Sequence, residues 1–346
     1  MLTKRVSWAK NGKSGLGEVL VEWPRVAVIL LNWNGYELTK ACVDSLLEAT
    51  YPNSEVFVVD NGSVDGSPAR LKQAFPFLTL IENGENLGFA RGCNVGIRAA
   101  VETGADYVLL LNNDSVVSPG FLEPLVKYAL STPRTGLVSG KILLQSDRNT
   151  IWFAGGRVFR LYGARVRGHL AVDNGSFDRC ERSGACTGAM MLIPRHVLEQ
   201  VGLLPEEYFF GMEEWDYSLT VSRAGFDLLY CGESVVFHHS DGSHQNLSPK
   251  FLYCGHRNRL VFLTRFNGRF VTRLFVALYT AYVSTIAGLR LNLNSAEAGR
   301  LRGAWYAAVR DHFNSPELRI EGRDLDAFER EESRRIPAKR SAPPSS

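Results

Sequence analysis

Two amides and a carboxylate directly follow an apolar run in LLLNNDSVV, residues 109–117. A hard divalent cation takes oxygen ligands, and Mg²⁺ typically uses one or two carboxylates together with phosphates and water. Asp114, flanked by the amides of Asn112 and Asn113, therefore suits a metal ion that is held partly by a bound diphosphate. The same residue types also favour turns, but the position after a buried strand favours the metal site.

A second polar cluster, DNGSVDGS at 60–67, begins with Asp60 and Asn61. A carboxylate at Asp60 can accept hydrogen bonds from a nucleobase edge or a ribose hydroxyl, whereas Asp, Asn, Gly and Ser all favour turns. A calcium loop is excluded, because the register starting at Asn61 would put Lys72 where the closing acid belongs. The sequence leaves nucleotide binding and a simple turn open here.

Glycines recur at Gly88, Gly92 and Gly96 in NLGFARGCNVGI, residues 86–97, with Arg91 and Asn94 between them. Glycines let a backbone approach a phosphate or a sugar, and the N-terminus of a helix favours anions. The segment is not the dinucleotide fingerprint, which should follow the first strand. Simple helix packing is the alternative interpretation.

Three acids, Glu213, Glu214 and Asp216, stand at the start of a helical segment. Acids at this end of a helix complement its dipole, which requires no further role. Three acids close together can also raise one another's proton affinity, which suits a general base.

A histidine, His238, follows an apolar strand in VVFHHSDGSH, residues 235–244. It can serve as a metal ligand or bind a phosphate, although a histidine on an apolar face is usually only packed. The Cys/His spacing does not resemble a structural zinc site. Cys186 in GACTG resembles a nucleophile elbow, but no long helix directly follows it, which disfavours a hydrolase.

The elements that must position these residues alternate regularly. Strands are predicted at 25–32, 55–60, 78–83 and 106–112, and helices at 36–49, 67–75, 88–104 and 120–130. Near-continuous apolar strands between amphipathic helices indicate a mostly parallel sheet covered on both faces. Ligands of such sheets bind beyond the carboxyl ends of the strands. The clusters at Asn32 and Asn34, at Asp60 and at Asp114 should therefore share one edge.

The rest of the chain is less regular. Residues 140–240 are richer in glycine and include an apolar run at 188–194 and a helix at 213–225, and helical character returns from 249 to about 314. We expect an N-terminal extension (1–24), an α/β catalytic domain (25–248), a helical region (249–325) and a disordered tail (326–346).

Charge is distributed unevenly along the chain. Residues 250–346 hold 17 Lys/Arg against 9 Asp/Glu, a net of +8, which leaves −5 for the other residues. The basic part indicates an anionic neighbour, such as a lipid surface or a phosphorylated acceptor. Nucleic acid is disfavoured because no recognition motif accompanies the basic residues. Arg265, Arg269 and Arg273 would share one face of an interfacial amphipathic helix unless Gly268 breaks it.

The cellular location of the protein is predicted from sequence signals that are absent. Its six cysteines form no CxxC pair and no dense framework, which predicts reduced thiols in a cytosol. The N-terminus has no apolar core like that of a signal peptide. The longest apolar run, 274–289, falls short of the roughly 20 residues that span a membrane. We expect a cytoplasmic protein, peripheral at the inner membrane face; the sequence also leaves room for a homo-oligomer.

Together, the segments resemble the family 2 glycosyltransferases with a GT-A fold, and most closely their rhamnosyltransferase-like branch, which builds bacterial polysaccharides and glycolipids. The motifs that carry this resemblance occur in order over residues 25–265 and are VAVILLNWNG, VFVVDNGSVDGS, ENLGFARGCNVGI, YVLLLNNDSVV, GACTGAMMLIPR, FFGMEEWDYSL, VVFHHSDGS and HRNR.

The resemblance implies roles for individual residues. Asn32 and Asp60 would contact the nucleotide, Asp114 would hold Mg²⁺ or Mn²⁺, and Glu214 would be the base. His238 matches the histidine that follows the last core strand of the family. Arg257 lies in the HRNR segment at 256–259, which in the family is near the diphosphate or the membrane.

The match has departures. The acid pair is Glu-Glu rather than Glu-Asp, so Glu213 competes with Glu214 as the base, and the metal motif has one carboxylate instead of two. His239, next to His238, leaves the choice of histidine open.

The implied reaction moves a sugar from a nucleoside diphosphate sugar to a hydroxyl of a saccharide or lipid-linked acceptor, with inversion. The alternative is a catalytically inactive sugar- or nucleotide-binding protein of the same fold. A dinucleotide-dependent oxidoreductase is disfavoured, because no glycine-rich turn follows the first strand.

Overall fold

The computed structural model describes residues 23–239, 248–285 and 295–314. The expected disordered tail (326–346) and nearly all of the expected N-terminal extension (1–24) lie outside these residues. The described chain forms two compact units. The first comprises 23–159, 164–205 and 214–239, and the second comprises 160–163, 206–213, 248–285 and 295–314.

The strands of the described residues, in chain order, are β1 (Val26–Asn32), β2 (Ser54–Asp60), β3 (Thr79–Glu82), β4 (Tyr107–Asn112), β5 (Ser115–Val117), β6 (Thr135–Leu144), β7 (Ile151–Phe153), β8 (Gly156–Phe159), β9 (Gly163–Val166), β10 (Cys180–Ser183), β11 (Met190–Pro194) and β12 (Asp227–His238). The helices are α1 (Tyr36–Leu47), α2 (Ser67–Ala74), α3 (Phe89–Glu102), α4 (Leu122–Ser131), α5 (Arg195–Val201), α6 (Glu213–Arg223), α7 (Pro249–Thr285) and α8 (Ser295–Asn314).

One mixed, mostly parallel sheet organises the first unit, in the order β10-β12-β6-β11-β4-β1-β2-β3. Strands β1 to β4 pair in parallel, as predicted. Strand β11 runs antiparallel between β4 and β6. The direction of β11 could not be predicted, because a short apolar run has the same composition in either orientation. The short strands β5 and β7 pair with β12 and β6, and β8 and β9 form a separate pair.

Side chains of β1 alternate between two cores, one on each face of the sheet. Val26, Val28 and Leu30 pack in a cluster with residues of α1, α2 and α4. Ala27 and Ile29 face the other cluster, which includes residues of α3, α5 and α6. Because both faces are buried, β1 needs apolar residues at every position rather than at alternate ones.

Residues 140–240 contain more regular structure than the sequence predicts. Strands β7 to β10 have only three or four residues each. Strands this short show no measurable hydrophobic period, so their sequences resemble those of loops.

The expectation of six reduced thiols is wrong for one pair, Cys180 and Cys231, which the structure joins as a disulfide. They lie directly opposite each other on antiparallel β10 and β12. A separation of 51 residues hides this register from the sequence. The other four cysteines, Cys42, Cys93, Cys186 and Cys254, are buried and form no disulfide.

The second unit is built on α7 and α8. Gly268 interrupts α7 with φ 80° and ψ 167°, which divides it into segments 249–267 and 269–285. Trp305 of α8 is fully buried, and its indole N–H donates to Oγ1 of Thr280 at 2.9 Å. No helix of the described chain is both long and apolar enough to cross a bilayer.

Candidate active site

The ends of β1, β2 and β4 lie side by side, as the sequence predicts. Asn32 is paired with Asp60, and Leu31 with Asn112. Three predicted site residues are therefore fixed by strand register at one edge of the sheet.

A chain of hydrogen bonds connects these strand ends. Nδ2 of Asn113 donates to Oγ1 of Thr39 at 2.8 Å, and Thr39 donates to Oδ1 of Asn32 at 2.8 Å. Nδ2 of Asn32 then donates to Oδ1 of Asp60 at 2.7 Å. Asn32 is fully buried and Asp60 is 2% exposed. The network holds the polar ends in fixed positions, and its members satisfy one another inside a low-dielectric site.

The loops after β1 and β2 are joined through Ser63. Asp60 accepts from the backbone N–H of Ser63 at 2.9 Å and from its hydroxyl at 2.6 Å, as in a turn. The backbone N–H of Asn34 donates to Oγ of Ser63 at 2.8 Å, and Oδ1 of Asn34 accepts from the N–H of Val64 at 2.8 Å. Asn34 has φ 51°, a left-handed conformation that Asn tolerates. Asp60 and Asn34 therefore stabilise the conformation of the loops after β1 and β2, independently of any contact with a ligand.

For Asn61 the structure indicates a scaffolding role rather than direct ligand contact. Its Oδ1 accepts from Asn83 and from the N–H of Leu87, and its Nδ2 donates to Asn86 and to the carbonyl of Gly88. Two donors and two lone pairs are all that a side-chain amide offers. The side chain fixes the loop that leads into α3.

Asn94 is likewise occupied within the protein. It is fully buried, donates to the carbonyl of Leu204 at 2.9 Å and accepts from the N–H of Leu204 at 3.1 Å. This favours the helix-packing interpretation for Asn94. Gly88 has φ 78° directly before α3, and Arg91 is half-buried in the first turn of that helix. Their role in donor binding stays a prediction.

Asp114 and His238 meet at the same sheet edge. Nε2 of His238 lies 3.1 Å from Oδ1 of Asp114 and 3.0 Å from Nδ2 of Asn112. The neighbouring His239 is exposed, and its backbone N–H donates to the carbonyl of Asp114 at 2.9 Å. The structure thus places the ring of His238 beside the carboxylate.

These two side chains fit a divalent cation. Nδ2 of Asn112 is an amide donor, so Nε2 of His238 accepts from it in the tautomer that carries no proton on Nε2. Oδ1 of Asp114 is buried without a hydrogen-bond partner among the described residues. Two electron-pair donors thus face each other, an arrangement that a shared cation would stabilise. Two ligands at right angles on a cation with bonds of about 2.1 Å lie about 3.0 Å apart. The described residues contain no cluster of three or more His, Cys, Asp or Glu, so phosphate and water would supply the other ligands.

The three acids of α6 have different surroundings. Asp216 is fully buried and accepts from Oγ1 of Thr220 at 3.2 Å on its own helix. Glu213 is 4% exposed. Burial raises the pKa of the Cys254 thiol to about 12, and the nearby Glu213 carboxylate adds to that rise. Glu214 is only half-buried, so of the three it is the most open to a substrate.

Glu214 packs against the GACTG segment. A Cβ added to Gly188 would lie 3.9 Å from Cβ of Glu214 and 3.0 Å from Cε1 of Phe89. Just before the helix, Met212 has φ 79°, a strained conformation for a residue with a side chain. Gly188 leaves little space beside Glu214, and the strained turn at Met212 fixes the backbone just before α6. Together these two features position the Cβ atom of Glu214.

Arg257 lies in the second unit and is 1% exposed. Its Nη1 is 3.5 Å from Nδ1 of His312, its Nε has no hydrogen-bond partner in the described part of the chain, and burial lowers its pKa. It makes no carboxylate ion pair among the described residues. Its assignment to the donor diphosphate stays a prediction.

Sequence reasoning missed three residues that hold the site: Thr39, Ser63 and Trp152. The ring centroid of Trp152 is 4.6 Å from that of His238, which positions the imidazole. Ser63 carried a weak signal, since it stands three residues after Asp60 in a turn-forming string. Thr39 and Trp152 carried none, because their contacts with Asn113 and His238 join distant parts of the chain.

Known proteins of the glycosyltransferase type are similar to this chain. Residues 27–202 match the profile of the family described as Glycosyl transferase family 2. The N-acetylglucosaminyl-diphospho-decaprenol L-rhamnosyltransferase of Mycobacterium tuberculosis is 28% identical over 243 residues, which are 63% of this chain and 77% of that protein.

Two solved structures share the fold. The mannosyltransferase PcManGT from Pyrobaculum calidifontis, in complex with GDP-Man and Mn²⁺, has a TM-score of 0.51 and 20% identity, covering 86% of this chain and 89% of that one. GalNAc-T7 with UDP, GalNAc and Mn²⁺ has a TM-score of 0.55 and 17% identity over 69% of this chain and 48% of that one. At these identities the likeness concerns the fold alone.

Proposed function

The chain belongs to glycosyl transferase family 2 and is a glycosyltransferase with the GT-A fold, and from this we propose that it moves a sugar from a nucleoside diphosphate sugar to an acceptor hydroxyl, with inversion. Similarity to the mycobacterial enzyme favours rhamnose as the sugar and a saccharide or lipid-linked acceptor. The observation that carries the proposal is the pairing of Asp114 with His238 beside the joined ends of β1 and β2.

The donor is proposed to lie along this edge, with its nucleotide near the loops of Asn32, Asn34 and Asp60. These loops are held by buried hydrogen bonds, so little ordering is needed when the donor binds. Asn112 and Asn113 continue the same surface towards Asp114. Asn61 and Asn94 support the loop and α3 from behind and are not assigned a direct contact.

Asp114 and His238 would hold Mg²⁺ or Mn²⁺, which when bound acts as a Lewis acid and neutralises the charge on the departing diphosphate. Both structural neighbours contain Mn²⁺, which supports a divalent ion without deciding between the two metals. Asn112 orients the imidazole, as outer partners of metal ligands commonly do.

Glu214 is proposed to take the proton of the acceptor hydroxyl. The hydroxyl oxygen forms a bond to the anomeric carbon while the bond from that carbon to the diphosphate oxygen breaks. The half-buried position of Glu214 leaves room for an acceptor, whereas Asp216 and Glu213 are buried. No covalent intermediate with the enzyme is required.

A membrane-facing role is proposed for the second half of α7. Phe270, Leu274 and Leu278 are 80%, 52% and 66% exposed and recur every four residues, so they form one helix face. Exposed Arg269 and Arg273 lie at the start of this face. An exposed apolar face bordered by arginines is typical of helices that lie in the surface of an anionic bilayer.

A thermal-shift screen of the full chain against nucleoside diphosphates, each with Mg²⁺ or Mn²⁺, tests the proposal. We expect one nucleotide to raise the melting temperature only when a divalent cation is present, and the nucleotide sugar to be turned over with an acceptor. Failure of every nucleotide to shift the wild-type chain would overturn the proposal. Binding without turnover would favour the inactive sugar- or nucleotide-binding protein instead.

A further inference from the structure

The first unit contains a cavity of about 490 Å³ that is separate from the residues assigned above. Its volume is within the range of small-molecule sites. Besides glycines and aromatic side chains, its wall includes Arg157, Arg165, Arg167, Arg182 and Glu181. Four guanidinium groups and one carboxylate give the wall a strong positive charge.

Two of the four arginines are neutralised by the protein. Arg167 forms an ion pair with Glu181 and donates to the carbonyl of Ala154 at 2.7 Å. Arg182 donates to Oδ2 of Asp227 at 3.0 Å. These contacts account for half of the positive charge, and they hold the two side chains in place.

Arg157 on β8 and Arg165 on β9 make no ion pair with any described residue. The guanidinium of Arg157 lies 5.4 Å from the ring centroid of Phe159, a cation–π contact that leaves its N–H donors available. Two uncompensated guanidinium groups on neighbouring strands therefore face one cavity. Guanidinium donors match the geometry of phosphate oxygens.

The glycines of the wall have a separate explanation and do not themselves indicate a ligand. A Cβ on Gly156 would lie 2.6 Å from the carbonyl oxygen of Arg165, and one on Gly184 would lie 3.2 Å from the carbonyl oxygen of Gly156. They allow close approach of the strands. The inference therefore rests on the two arginines that lack an ion pair with any described residue, Arg157 and Arg165, and on the space between them.

The wall of the cavity is close in sequence to the segment that contacts the proposed base. Gly184 of the wall is four residues before Gly188, which limits their separation to about 14 Å, because an extended residue spans at most about 3.6 Å. Gly188 in turn is the residue against which Glu214 packs. The cavity shares no residue with the proposed donor site.

We propose that this cavity binds the phosphate group of a phosphorylated saccharide acceptor through Arg157 and Arg165. The assignment to the acceptor rests on the proposed function, whereas the binding of phosphate does not. The phosphate can belong to a lipid-linked sugar diphosphate or to a soluble sugar phosphate, and the shared chemistry is the phosphate ester.

Binding of inorganic pyrophosphate to the full chain, measured by calorimetry with EDTA present, tests the cavity apart from the metal site. The variant R157Q/R165Q should weaken this binding about tenfold or more, since each lost charge-assisted hydrogen bond is a strong one. The control R98Q/R223Q removes the same charge from exposed positions of the first unit outside the cavity. It should change the affinity less than about twofold, as expected for screened surface charges.

Two further arms use N-acetylglucosamine 1-phosphate in solution and a polyprenyl diphosphate in vesicles of neutral phospholipid. Selective loss of binding by R157Q/R165Q in either arm supports the cavity and identifies the source of the phosphate. Wild-type affinity of that variant for pyrophosphate and for both further probes would overturn the inference. The thermal shift with nucleoside diphosphate and Mn²⁺ is measured on the same variants. A wild-type chain without that shift contradicts the proposed function, whatever the cavity binds.

Discussion

Oδ1 of Asp114 lies 3.1 Å from Nε2 of His238. The carboxylate follows β4 and the imidazole lies at the end of β12, so two separate strands position the two side chains. His238 is also paired in register with Ser115, the residue after Asp114. The sheet itself therefore fixes this separation, and the pair can be tested as a unit.

We expect Asp114→Asn to lower turnover by roughly 10³-fold, because a bound metal ion contributes several kcal/mol to charge stabilisation. The metal-dependent part of the nucleotide thermal shift should disappear as well. The control is Asp44→Asn, which removes an exposed carboxylate on α1 that forms an ion pair with Lys40. Steady-state kinetics in Mn²⁺ check the result, and unchanged turnover of Asp114→Asn would remove Asp114 from the reaction.

Glu214→Gln should reduce kcat by about 10²–10⁴-fold, the usual contribution of a general base. Nucleotide affinity should be retained, because the donor loops do not involve α6. Glu213→Gln is the matched comparison on the adjacent residue and should retain most of the turnover. The assignment is wrong if Glu214→Gln turns over like the wild type while Glu213→Gln does not.

A methyl group at Gly188 should interfere with the base. In Gly188→Ala the new Cβ would lie 3.0 Å from Cε1 of Phe89, which is closer than ordinary contact, so Phe89 must shift, and it would lie against Cβ of Glu214 at 3.9 Å. We expect kcat to fall with little change in nucleotide affinity. Gly255→Ala is the control, since nothing lies within 4 Å of its Cβ position in α7. It should stabilise the protein by up to about 1 kcal/mol.

Stability should depend on pH through two histidines of the second unit. Burial, and then the charge of Arg259, lowers the pKa of His256 to about 4; burial, and then Arg257 and Arg269, lowers that of His312 to about 4. Unfolded imidazoles bind protons near pH 6.5, so unfolding takes up protons between pH 6.5 and 4. Stability is therefore complete above about pH 6.5 and is lost as the pH falls.

Urea unfolding at pH 7 and pH 5 measures this effect. The loss from His256 alone should be on the order of 2 kcal/mol. His256→Gln should flatten the dependence, whereas His196→Gln, at an exposed position of the first unit, should leave it unchanged. Equal pH dependence in both variants would contradict the assignment.

Vesicle flotation tests the apolar face of α7. Wild-type protein should float with anionic vesicles, and F270S/L274S/L278S should not, because burial of a large apolar side chain contributes roughly 1.5–3 kcal/mol. The control L130S/L161S/V172S changes three similarly exposed apolar residues elsewhere. Equal flotation of the two triple variants would show that this face is not the contact.

The sequence predicted the parallel strands and the edge where their polar ends meet, because each apolar run ends in small polar residues and parallel register aligns those ends. It could not assign roles within the edge. Asn94 resembles a ligand-binding residue, and only the fold reveals its bonds to Leu204, 110 residues away. The disulfide between Cys180 and Cys231 and the direction of β11 were hidden for the same reason. Each depends on contacts that no local pattern records.

The four hydrogen bonds of Asn61 have a consequence for chemical ageing. Asn61 precedes Gly62, and in a flexible chain an asparagine before glycine readily loses its amide through attack by the next backbone nitrogen. Here both the oxygen and the nitrogen of the Asn61 side-chain amide are hydrogen-bonded, and Asn61 is 2% exposed. Gly62 has φ 75° and lies close to the backbone of Glu85. Conversion to aspartate would set a negative charge against the carbonyl of Gly88. The fold thus protects the Asn61–Gly62 pair from deamidation, which would free the loop before α3.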